Sequence, residues 1–122
     1  MITYDTPFRM SYTIPAAAID TAAVLLSVCG PAGLKGRVSN ISGVVTTSTT
    51  VAASEIQVGT TADEDAYATC AVPVLTAPAV FNTLVDLTSD ANLIPANSVV
   101  EIASDGGATA GDGDIVVTID WF

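Results

Sequence analysis

Apolar residues in this chain recur at every second position in short runs, and each run is soon closed by glycine, proline, asparagine or aspartate. Phe8, Met10, Tyr12 and Ile14 alternate with Arg9, Ser11 and Thr13, which is the period of a strand with one apolar face. Ile41, Gly43 and Val45 repeat the pattern, with Gly43 expected to mark a bulge. Glu55-Ile56-Gln57-Val58 repeats it before Gly59, as do Ala66 to Leu75, with Pro73 marking an edge or a strand end, then Phe81, Thr83, Val85 and Leu87, and then Ser98 to Ala103. In the last strand Ile115, Val117, Ile119 and Trp121 share one face, and Val116, Thr118, Asp120 and Phe122 the other. Pro15 is expected to end the first strand. Ala16 to Cys29 reads as a short turn or helical piece followed by a strand from about Ala22, with Val24, Leu26 and Val28 on one face. Gly30 to Gly36 is turn chemistry and predicts a hairpin. Seven to nine short strands without a long helix predict an all-β antiparallel sandwich or barrel. Residues 15–122 are expected to form its one domain, after an N-terminal strand or arm over residues 1–14.

The surface such a sandwich presents is set by composition. Only 13% of residues are charged although half are hydrophobic, so Thr, Ser, Ala and Gly must cover much of the exterior, a surface suited to close packing against neighbours. Thirteen acidic residues face only Arg9, Lys35 and Arg37, giving a net charge of -10. That charge repels phosphate backbones and anionic headgroups, so neither nucleic acid nor a membrane is expected as a partner. Met1 to Met10 lack the basic and apolar regions of an export signal, and synthesis in the cytosol is expected. In that compartment Cys29 and Cys70 are expected to stay reduced.

The absence of histidine from the chain removes Ser-His-Asp and Cys-His nucleophiles and the usual zinc sets. Lys35 lies in a glycine-rich segment that lacks the Gly-Lys-Ser/Thr order of a phosphate loop. Carboxylates remain. Asp63 and Asp65, and Asp112 and Asp114, are two residues apart on polar loops and are candidate ligands for a hard cation such as calcium, which takes about six to eight oxygens. Neither pair has EF-hand spacing, and solvated turns explain both. With no grouping of nucleophile, base and oxyanion donors, no enzymatic activity and no cofactor are expected. The aromatics Tyr4, Phe8, Tyr12, Tyr67, Phe81, Trp121 and Phe122 mostly fall where core alternation accounts for them.

Several stretches occur together in a telling order: Gly30-Pro31 through Gly36-Arg37-Val38, Ile56 to Thr60, Asp63 to Tyr67, Ile94 to Val100, and Gly111 to Asp114 leading into Ile119-Asp120-Trp121-Phe122. In this order the chain resembles the small tailed-phage structural proteins that decorate or cement the outside of an icosahedral capsid. The resemblance runs from about Ile14 onward. It implies a jelly-roll-like β-sandwich that binds the major capsid protein, commonly as a homotrimer, and is located on the virion after synthesis in the host cytoplasm. It carries over no catalytic residue. Phe8, Met10, Tyr12, Trp121 and Phe122 then become candidate interface residues. For the first strand two readings stand, an arm that pairs with a neighbour or the first strand of the protomer's own sheet. For Trp121 and Phe122 the alternatives are a contact with a sister subunit or a cap on the core. A second functional reading is a receptor- or glycan-binding fibre head using the acidic loops with calcium.

Overall fold

The computed structural model describes residues 8–84 and 92–122. Among these residues nine strands run in chain order: β1 (Phe8–Ala18), β2 (Ala23–Cys29), β3 (Gly36–Thr50), β4 (Ser54–Gly59), β5 (Ala68–Val72), β6 (Ala79–Phe81), β7 (Thr83–Leu84), β8 (Val99–Ser104) and β9 (Ala110–Trp121). They form two antiparallel sheets, ordered β1-β9-β3-β6 and β2-β8-β4-β5-β7. Consecutive strands alternate between sheets in the first half of the chain and return to fill the gaps in the second, which is the winding of a jelly roll. The predicted antiparallel β-sandwich is therefore the fold.

One apolar face of each sheet makes the core. Ile115, Val117, Ile119 and Trp121 of β9 are all buried, opposite Ile56, Val58, Cys70, Val100 and Ile102 of the second sheet. In β5 the buried face is Ala68, Cys70 and Val72. β9 owes its apolar character on both faces to its place in the sheet. It lies between β1 and β3, so even outward Thr118 is covered, with its hydroxyl 3.0 Å from that of Ser11 and its carbonyl accepting from Ser39 at 3.2 Å.

Several sequence expectations are corrected. Pro15 does not end β1. The strand continues to Ala18 through a bulge between Ile14 and Ala17, with Ala16 at φ 50°. A proline is tolerated there because β1 is an edge strand that can forgo a ladder donor. Gly30 to Gly36 does not close a hairpin, since β2 and β3 belong to different sheets. Gly30 and Gly36 make room for indole: a Cβ on Gly36 would lie 2.6 Å from Cζ3 of Trp121, and one on Gly30 would also meet the ring. Gly43 is not at a bulge; the irregularities of β3 fall at Val38/Asn40 and beyond Val45. It is instead the seat of the Phe81 ring, which a side chain would strike. Phe81 and Thr83 do not share a strand, because the chain leaves the first sheet after Phe81 and enters the second at Thr83. Val85, Leu87 and Tyr4 lie outside the described residues.

Two buried serines fix the corner between β1 and β2. Ser54 and Ser104 donate their hydroxyls to the carbonyl of buried Ile19 at 3.0 and 2.8 Å, and Ser54 Oγ also accepts from the Ala108 amide at 2.8 Å. The Ile19 and Asp20 amides in turn donate to the Gly111 carbonyl. Polar groups inside a core must be paired in this way, and the result holds β1 and β2 along the same side of the sandwich.

Candidate functional site

That side is the candidate. Among the described residues β1 and β2 each end the order of their sheet, so two strand edges run along one flank with no described strand on their outer sides. The core is incompletely covered between them. Met10 and Tyr12 from β1 and Leu25, Leu26 and Val28 from β2 pack against the core but remain partly exposed. Phe8 at the start of β1 is 58% exposed and Val99, paired with Cys29, is 60% exposed.

β2 reached this arrangement through a bulge. Its pairing with β8 slips between Val24 and Leu26, so Leu25 and Leu26 both lean on the core while Val24 stands 51% exposed. Val24, Leu26 and Val28 were expected on one face; the extra residue of a bulge breaks that parity. Beside Val24, on the outer face of the second sheet, is a shallow groove of about 340 Å³ lined in part by Ala103, Gln57, Thr61, Glu64 and Glu101. Glu101 stands directly across from Ser27 of β2 and accepts from the Thr61 hydroxyl at 2.8 Å.

The five interface candidates separate. Phe8 and Phe122 are exposed, and Met10 and Tyr12 are half-buried. Trp121 is 1% exposed, so its side chain belongs to the core of its own protomer and not to an exposed contact. Its Nε1 donates to the Tyr12 hydroxyl at 3.3 Å, which faces Met10 Sδ at 3.7 Å. Phe122 is tied by its backbone, its amide and carbonyl pairing with those of Lys35 at 2.8 Å. Phe8 to Ile14 pairs with Trp121 to Ile115 of the same chain. Arg9 extends that pairing outward, its guanidinium forked onto Asp120 at 2.7 and 3.0 Å. This hydrogen bonding, then the charge of Asp120, raises the Arg9 pKa, but so exposed a pair is screened by solvent and adds little stability.

Among the described residues no group of three or more acidic, histidine or cysteine side chains is placed to hold a metal ion. Asp114 accepts from the Ala16 amide at 2.9 Å and so holds the β1 bulge. Asp112 lies within β9, level with Ala18 and Thr47. Asp63 shares a hydrogen bond with Asp65, which raises the Asp63 pKa, with partial desolvation and the nearby negative charges adding to the shift. Cys29 is exposed, Cys70 is buried, and neither is in a disulfide. Comparison with family models, curated proteins and solved structures gives no significant match.

Sequence reasoning missed Leu25, Leu26, Val28 and Glu101. The available signal was the charge-free run of β2, Ala-Val-Leu-Leu-Ser-Val-Cys, but a buried central strand reads the same way.

Proposed function

We propose that this chain is a non-enzymatic virion structural protein that binds the outer surface of a tailed-phage capsid and stabilises it, as a homo-oligomer, with a trimer favoured. The observation that carries this reading is the flank of β1 and β2, where among the described residues a sandwich otherwise well packed leaves two edges without a further strand and five apolar side chains half covered. Natural sandwiches guard such edges when they work alone, so this one is suited to a life against other protein. The resemblance to decoration proteins supplies the kind of neighbour, the major capsid protein.

The physical work of such a protein is linkage. A ligand that binds only the assembled shell stabilises it by RT ln(1 + [L]/Kd), about 2.7 kcal/mol per site at a hundredfold excess over Kd. Oligomers strengthen weak individual footprints through effective concentration. Cosedimentation of the purified chain with undecorated capsids is the direct test, and shells that stay bare at high protein concentration would overturn the proposal. Light scattering on a sizing column tests the oligomer separately, with a trimeric mass as the expected result.

A further inference from the structure

We infer that β2 is a strand-addition site for an extended segment of another protein in which basic residues alternate with apolar ones. Of the long outer strands it is the less guarded. β1 carries Pro15, a bulge at Ala16 and the Arg9–Asp120 fork, all devices that discourage a further strand. β2 has no proline and no charge, and from Leu26 to Cys29 it runs in regular register on β8. Among the described strands its outer edge is thus the best template for backbone pairing of the kind used in β-augmentation.

The surroundings specify what the arriving strand carries. Side chains on one face of it fall on the side of β2 where Leu26 and Val28, like Met10 and Tyr12 of β1, are half-buried and pack against the core. That face is apolar. Side chains on the other face lie beside Ser27 and Val24, with Glu101 one strand further in and Glu64 across the groove. Two interstrand spacings come to about 10 Å, a span that a lysine or arginine stem crosses by lying along the sheet. The carboxylates make that face cationic by complementarity, which also steers encounter. A second copy of the chain fits poorly, since it has three basic residues against thirteen acidic ones.

This inference concerns how a partner is gripped, and its test needs no capsid. The isolated chain is mixed with a synthetic peptide of alternating lysine and valine, and amide hydrogen exchange is followed along the chain. Slowed exchange concentrated in Ala23–Cys29, with affinity falling as salt rises, is the expected result. A glutamate–valine peptide is expected to bind at least about tenfold more weakly, because like charges then face one another. The double variant Glu64→Gln, Glu101→Gln alters only exposed or half-buried surface groups and is expected to weaken the lysine peptide several-fold. No protection at β2, protection at β1 or β6 instead, or equal binding of both peptides would overturn the inference.

Discussion

The two flanks of the sandwich are built on opposite plans. On one side the outer strands are β1 and β2, with eleven and seven residues, and the core shows between them. On the other side the described outer strands are β6 and β7, with three and two residues, and the chain itself steps from one sheet to the other after Phe81. Pro78 precedes β6, and the Phe81 ring fills the space that Gly43 leaves. Short, proline-flanked edges are a means of preventing strand addition. The difference shows that the fold keeps its described outer strands short on one side and long on the other.

The largest effect expected at the open flank comes from the residue that closes its floor. Trp121→Ala removes the indole from between Gly30 and Gly36 and strips Tyr12 of its donor; the expected loss is about 3–5 kcal/mol by denaturant unfolding. A loss below about 1 kcal/mol would mean that the ring is not core. Next comes the corner that sets β1 and β2 side by side. Ser54→Ala leaves the buried Ala108 amide without an acceptor and is expected to cost about 1–3 kcal/mol, together with faster amide exchange at Ile19 and Asp20.

By contrast, Phe8→Ala and Phe122→Ala are each expected to change the stability of the isolated chain by no more than about 0.5 kcal/mol, as surface substitutions do. Under the proposed function the same two variants lower capsid retention, a readout that a purely structural role for these rings would not move. A large stability loss from either would erase the distinction between filled floor and free rim.

The smallest effect lies at Asp63, next to Glu64 of the groove beside β2. The folded pKa of Asp63 is raised, so the folded state holds that proton more tightly than the unfolded chain. The group therefore costs stability at neutral pH, and the cost is relieved as pH falls through the raised folded value toward the ordinary carboxylate value. Asp65→Asn removes the partner charge. Thermal unfolding of this variant is expected to show a slightly shallower gain between neutral pH and the acid range than that of the parent chain; an identical slope would show that the pair does not couple in solution.

Much of the fold was legible because a two-residue period survives any strand order. The faces of β9 and β4, the break after Ser104 and the turn character of Gly30 to Gly36 all follow from local pattern. The candidate site was less so. Phe8, Met10 and Tyr12 were found because alternation identifies an inward face, but Trp121 was left between two roles, since a core aromatic and an interface aromatic have the same chemistry. Leu25, Leu26 and Val28 were passed over because nothing local distinguishes an edge strand of apolar residues from a central one.

What the sequence by itself determined is the all-β class, the positions of most strands and the net charge of -10, since side-chain alternation and charge are properties of the chain alone. Only the tertiary structure decided which strands are edges, that Gly43 seats a ring and makes no bulge, that Asp114 braces a bulge, and that Pro15 lies within a strand. Each of these depends on which distant segment arrives alongside, and backbone pairing between strands is indifferent to most side chains, so the sequence carries little record of the choice.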